Sequence, residues 1–327
     1  MPRFRRAAAL AATAAVVLTA CSSTGGRKAA ESAAANAGQC SGPKRTVALI
    51  THSAKGDAFW DLVRKGADAA GAKDCITVEY QSDPEGANQA QLVDAAVDKK
   101  VDGIAVSLNK PDQMSAAVKK AVAAGIPVTA LNGGSDVWKD LGVLGFFGQE
   151  DKVAGEETGK RLKDLGAKKV LCVLHEQGNV GNESRCAGIK ATFPATETIY
   201  VNGEDTANTQ STLTGKLQQD KAIDQVVGLR AATAMVALKS VAEAGSAAKV
   251  ATFDTDKDVV AAIKDGRIEF AVDQQPYLQG YLAVDALWLY LTNGDTIGGG
   301  QGTLTGPAFV TKDNADAIAK YAQAGTR

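Results

Sequence analysis

The sequence predicts an α/β fold built on two parallel sheets, each flanked by helices. From Thr46 onward, short β-branched runs alternate with amphipathic helical stretches. This strand-helix-strand repeat builds a parallel sheet through right-handed crossovers. The alternation restarts after Gly148, so a second sheet of the same kind is expected. At 327 residues the chain is long enough for two such domains.

In the first half, strands are expected over 47–51, 76–80, 103–107 and 128–131, with helices over 58–70, 88–99 and 113–124. The first helix shows the period of 3.6 residues, with Phe59, Leu62, Val63, Ala67 and Ala70 on one face and Asp57 ahead of it as an N-cap. In the second half, strands are expected over 170–174, 198–201, 225–229, 250–253 and 270–272. Helices are expected over 152–165, 184–193, 209–220, 231–244, 257–264 and 277–291. A Gly-rich turn at 298–302, a strand over 308–311 and a helix over 314–324 complete the chain.

The N-terminus points to export. Arg3, Arg5 and Arg6 precede an uncharged Ala-, Val- and Leu-rich run over 7–20. That run is shorter than the ~20 apolar residues of a membrane-spanning helix, and reads as a secretory signal peptide over 1–20. Its end, Leu18-Thr-Ala-Cys21, resembles a bacterial lipobox, which implies a diacylglycerol on Cys21; an ordinary signal peptide with a chance cysteine is the alternative. Small and polar residues dominate the stretch 21–43, which reads as a flexible tether to the outer face of the cell membrane.

Four cysteines then remain. Cys40 and Cys75 each precede one of the first two strands, whose N-terminal ends meet if they are parallel neighbours. Cys172 lies in a strand and Cys186 in the helix after it. Bridges Cys40–Cys75 and Cys172–Cys186 are therefore expected, each contributing roughly 2–4 kcal/mol. Four free buried thiols are the alternative, less suited to an oxidising compartment. With two histidines and no C-x-x-C pair, no metal site is expected, and no cofactor motif is present. A net charge of −1 argues against a nucleic-acid partner.

Ligands of open parallel sheets bind beyond the carboxyl ends of the strands. Reading off those exits gives His52, Asn109, Asn132, His175, Glu176, Arg230, Asp254 and Gln274. Together with Asp57 and Arg185 they offer both donors and acceptors, which suits an uncharged polyhydroxylated molecule, because a hydroxyl needs both. Phe59 or Trp60 can pack against the C–H face of a sugar ring, the other facing the core. Each residue also fits a plainer role: Asp57 as a helix cap, Asp254 as a turn residue, Arg185 as a solvated helix position, and His175 with Glu176 as a strand-end hydrogen bond. No nucleophile stands beside either histidine, so no enzyme activity is expected.

Several stretches together carry a likeness: Thr51-His-Ser-Ala-Lys-Gly-Asp-Ala-Phe-Trp60, Lys65-Gly-Ala-Asp68, Ala123-Ala-Gly-Ile-Pro-Val128, Phe253-Asp254 and Asp273-Gln-Gln-Pro-Tyr-Leu-Gln-Gly280. From about Thr46 to its end the chain resembles the type I periplasmic sugar-binding proteins of the ribose-binding class. The resemblance implies two Rossmann-like lobes joined by a three-segment hinge. It assigns 44–149 plus 275–302 to the first lobe and 150–274 plus 303–327 to the second. It implies a monomeric component of an ABC importer, handing a sugar or polyol to permease and ATPase subunits. It places Asp57, Phe59, Trp60 and Asn132 on the first lobe's side of the site, and Arg185, Arg230, Asp254 and Gln274 on the second lobe or hinge.

Two departures from the ribose pattern stand out: Asn132-Gly133 where an Asp-Arg pair is usual, and Arg230 where an Asn is usual. Losing a charged hydrogen-bonding partner costs a ligand that needs it more than about 1 kcal/mol. The expected ligand is therefore another pentose, a hexose or a linear polyol. A component that feeds a sensor or takes up a quorum-sensing furanone is the alternative. A repressor of the lactose-repressor kind would need a helix-turn-helix where the signal peptide stands.

Overall fold

The computed structural model describes residues 42–54 and 56–327. The proposed signal peptide, Cys21, the tether up to 41 and Cys40 lie outside the described residues.

Within 42–327 the chain forms two six-stranded sheets. The first holds β1 (Arg45–Thr51), β2 (Ile76–Ser82), β3 (Gly103–Ser107), β4 (Val128–Asn132), β5 (Phe146–Gly148) and β11 (Thr303–Leu304), in the order β11-β5-β4-β3-β1-β2. The second holds β6 (Val170–Leu174), β7 (Thr196–Tyr200), β8 (Gln225–Gly228), β9 (Lys249–Phe253), β10 (Ile268–Asp273) and β12 (Ala308–Thr311), in the order β12-β10-β9-β8-β6-β7. The second order repeats the first, strand for strand. All pairings are parallel except that of β12 with β10.

Helices connect the strands: α1 (Ala58–Asp74), α2 (Gly86–Asp98) and α3 (Pro111–Ala123) in the first lobe. The second lobe has α4 (Asp151–Asp164), α5 (Val180–Thr192), α6 (Thr206–Gln219), α7 (Ala231–Glu243) and α8 (Lys257–Lys264). The helix α9 (Pro276–Asn293) returns to the first lobe, and α10 (Ala315–Ala324) closes the second. Because helices cover both faces of each sheet, strands such as β3, β4 and β6 are buried at every position and read as continuous apolar runs. In the first lobe, Ile50, Ile104, Val106 and Met114 pack on one face and Leu49, Ala105, Leu131 and Phe147 on the other.

Two glycine contacts fasten the helix that enters each lobe. Gly66 of α1 and Gly280 of α9 let these helices touch backbone to backbone: a Cβ on Gly66 would lie 1.9 Å from the Tyr277 carbonyl oxygen, and one on Gly280 1.9 Å from that of Val63. The second lobe repeats the device, with Gly155 of α4 against Arg185 and Gly188 of α5 against Lys152.

The lobes are joined by three crossings, between β5 and α4, between β10 and α9, and between β11 and β12. The last differs from expectation. Thr303–Leu304 still pairs with Phe147–Gly148 of the first sheet, so the first lobe extends past 302 and the chain crosses at Thr305 to Pro307. Helix α1 runs a turn beyond the expected end at 70, because Gly71 lets it lie against Ile76 and Val78 of the returning strand. Helix α5 starts at Val180 rather than 184, capped by the Asn179 side chain, which accepts from Asn182 N at 3.1 Å. Cys172 and Cys186 are disulfide-bonded, as expected, joining β6 to α5 with a Cα separation of 5.8 Å. Cys75 also takes part in a disulfide; its expected partner Cys40 lies outside the described residues. No helix among the described residues is long and apolar enough to cross a membrane.

Candidate ligand-binding site

A cavity of about 610 Å³ lies between the lobes, beyond the carboxyl ends of strands from both sheets. All twelve side chains singled out in the sequence border it: His52, Asp57, Phe59, Trp60, Asn109 and Asn132 from the first lobe, and His175, Glu176, Arg185, Arg230, Asp254 and Gln274 from the second lobe and hinge.

The repeated strand order explains the convergence. His52 follows β1 as His175 follows β6, and Asn109 follows β3 as Arg230 follows β8. Asn132 ends β4 as Asp254 follows β9. The last pair shares a backbone shape as well as a place, with φ of 65° and 64°. Asn and Asp tolerate this left-handed region better than other non-glycine residues, so a short polar side chain is turned toward the cavity from each sheet.

The floor is a row of amides across the hinge. Asn109 Nδ2 donates to Asn132 Oδ1 (3.2 Å), Asn132 Nδ2 to Gln274 Oε1 (3.1 Å), and Gln274 Nε2 to Asp254 Oδ1 (2.7 Å). Further bonds join the lobes directly: Val180 N to the Asn109 carbonyl (3.1 Å) and Asn109 Nδ2 to Asn179 Oδ1 (3.2 Å). Two ion pairs cross as well, Lys110 to Glu176 (3.3 Å) and Arg230 to Asp57 (3.4 Å).

The individual residues take more roles than the sequence suggested. Asp57 caps α1, accepting from Phe59 N at 3.0 Å, and also reaches Arg230. Arg230 is further held by Glu204 (3.0 Å) and the Gly203 carbonyl. Arg185 is no solvated helix residue: it is 4% exposed, donates to Asp151 Oδ1 at 2.7 Å and lies over the Phe253 ring. Trp60 is part of the core and also touches the cavity, edge-on to His52 and to the half-buried Phe59. The expected His175–Glu176 hydrogen bond is replaced by others, because Glu176 turns to Asn179 and Lys110.

Residues 47–296 match the family of the periplasmic binding protein domain. The chain belongs to that family. This periplasmic binding protein is similar to a carbohydrate transporter protein of Acidothermus cellulolyticus 11B crystallised with myo-inositol, with 52% sequence identity and a TM-score of 0.86, over 87% of this chain and 100% of that one. It is 29% identical over 245 residues to a xylose/arabinose-binding protein of Sulfolobus acidocaldarius; the match spans 68% of this chain and 60% of that protein's length. It is 25% identical to a ribose import binding protein of Bacillus subtilis, over 75% of this chain and 82% of that protein.

The electrostatics of the binding protein's cleft follow from burial. Loss of water lowers the His52 pKa to about 4, with nearby Glu176 opposing, and lowers His175 well below its ordinary value. Both rings are neutral near pH 7, and His52 is held by Ser107, whose hydroxyl is 2.8 Å from Nδ1. Burial also raises Asp254 to about 7 against the pull of Arg185, and raises Asp57 against the pull of Arg230.

Sequence reading missed Asn179, Asn182, Lys110, Glu204 and Asn208, which also border the cavity. The stretch Gln177-Gly-Asn-Val-Gly-Asn182 looks like an irregular loop, and its signal was the position after β6, already marked by His175 and Glu176. Lys110 follows Asn109 directly. Glu204 and Asn208 lie beyond β7, a strand whose exit supplied no expected residue.

Proposed function

We propose that this chain is the extracytoplasmic solute-binding component of an ABC importer, and that it holds a monosaccharide or cyclic polyol between its lobes. The observation that carries this reading is the cavity itself: it is walled by amides, carboxylates and guanidinium groups from both lobes, with Phe59 and Trp60 on one side. Such a wall can accept from and donate to every hydroxyl of a small ring while an aromatic face covers its C–H groups. The myo-inositol bound to the 52%-identical relative fits that chemistry.

In this reading Asp254, Gln274, Asn132 and Asn109 bind from the floor. Asp57, Arg185 and Arg230 bind from the sides, with His52, His175 and Glu176 at the periphery. Closure brings both lobes onto one ligand, which favours the closed state by its differential affinity. The closed protein then meets permease subunits that are served by ATPase subunits. Lipid on Cys21 holds the monomeric chain at the outer face of the membrane, and Cys40 bridges to Cys75. The cleft binds and releases without chemical turnover.

The test is a thermal-shift screen of the purified protein against neutral monosaccharides and polyols, myo-inositol included. A ligand at a hundred times its dissociation constant adds ~2.7 kcal/mol to stability. A panel in which no sugar or polyol raises the melting temperature refutes the reading.

A further inference from the structure

The amide row on the floor has a direction, and a residue outside the cavity fixes it. Gln279, in the first turn of α9, is fully buried and does not border the cavity. Its Nε2 lies 3.1 Å from the Gln274 backbone carbonyl, 3.1 Å from Gln274 Oε1 and 3.2 Å from Thr305 Oγ1. A backbone carbonyl only accepts, so the amide of Gln279 must turn its NH₂ toward Gln274. The other end is fixed too. Above about pH 7, where Asp254 is ionised, its carboxylate also only accepts, so the Gln274 Nε2 faces Asp254 and its Oε1 faces Gln279 and Asn132.

From these ends the rest follows. Asn132 must present Nδ2 to Gln274, which leaves its Oδ1 for Asn109. Asn109 Nδ2 then serves both Asn132 and Asn179, and Asn109 Oδ1 is left buried without a partner. A buried carbonyl oxygen without a donor costs about 1–3 kcal/mol, and the direction of the row places that cost at Asn109.

We propose that Gln279 is a positioning residue for ligand recognition: from outside the cavity it sets the direction of the amide row, so that Gln274 Nε2 holds Asp254 and the ionised Asp254 carboxyl meets the ligand as an acceptor. A ligand must therefore offer a hydroxyl hydrogen to Asp254, and analogues with a methyl ether or a missing hydroxyl there are rejected. Gln279 also ties the second hinge crossing to the third through Thr305, so ligand recognition and hinge geometry share one side chain. The inference rests on the sugar or polyol reading only for the identity of the ligand; the direction of the row belongs to the protein alone.

The test uses Gln279→Glu and Gln279→Met. The ionised carboxylate introduced by Gln279→Glu cannot donate. Gln274 then turns its NH₂ toward it and sets Oε1 against Asp254. With myo-inositol as the probe in titration calorimetry, Gln279→Glu weakens binding at least about tenfold relative to wild type at about pH 8.5. Taken as the ratio to wild type at each pH, so that the titration of Asp254 in both proteins divides out, part of that loss returns as the pH falls to about 5.5 and the introduced carboxyl takes up a proton. Gln279→Met weakens binding at every pH. A variant-to-wild-type ratio that stays flat with pH in Gln279→Glu overturns the proposal.

A ligand-free measurement decides the same point if wild type ignores the probe, a result that would count against the sugar or polyol reading instead. In Gln279→Met the side-chain NH₂ protons of Asn132 and Gln274, followed by NMR, exchange with water faster than in wild type. Wild-type exchange rates for both overturn the proposal.

Discussion

Asp254 shows how a single residue joins stability to binding. Its carboxyl is buried, so its pKa rises from the ordinary 3.8 to about 7. Between those values the folded protein binds a proton that the unfolded chain does not, and stability falls as the pH rises through that window. The penalty is complete above about pH 7 and absent below the unfolded value. Asp254→Asn removes it and keeps an acceptor for Gln274. The ligand-free variant is therefore expected to be more stable than wild type at pH 8, by about 1–3 kcal/mol, with the gain vanishing toward pH 4. Denaturant titrations at the two pH values check this, and an equal gain at both would show that burial of charge is not the cause. The same variant binds sugar or polyol more weakly, because it loses a charged acceptor. Arg185 does not allow so clean an experiment: Arg185→Ala leaves Asp151 buried without its cation, and breaking such a pair costs about 3–5 kcal/mol.

At the level of elements, the glycines separate contact from propensity. Gly66 sits where a methyl group would meet the Tyr277 carbonyl, whereas Gly215 in α6 is exposed and a Cβ there meets nothing. Gly66→Ala is expected to destabilise by roughly 2–4 kcal/mol by forcing α1 and α9 apart. Gly215→Ala is expected to stabilise by about 0.5–1 kcal/mol through helix propensity alone. Opposite shifts in urea midpoint check both, and two shifts of the same sign would refute the close-contact account. Most elements were legible in the sequence because their apolar positions recur at helical or strand spacing over four or more residues. The strands β5 and β11, with three and two residues, are too short to show any period. They form because neighbouring strands supply their hydrogen bonds, and with β11 the expected lobe boundary moved.

At the level of the whole molecule, the contacts between the lobes would hold the closed state of the proposed hinge. Arg230 and Asp57 are partly exposed, so their pair contributes at most ~1 kcal/mol, which shifts an open–closed balance by about fivefold. In Arg230→Ala the ligand-free radius of gyration from small-angle scattering is expected to exceed that of wild type. Identical radii for wild type and variant, free and with saturating sugar or polyol, would show that the lobes do not hinge.

The sequence by itself determined the two sheets, the pairing of Cys172 with Cys186 and the roll of polar strand exits, because these are properties of spacing along the chain and of where a parallel strand must end. Only the tertiary structure decided which exits meet across the cleft, that Arg185 answers Asp151 and Arg230 answers Asp57, and which way each amide points. Arg185 lies 34 positions from Asp151, Arg230 lies 173 from Asp57 and Asn132 lies 142 from Gln274, and no local pattern encodes such pairings until both lobes have folded and the hinge has set them face to face.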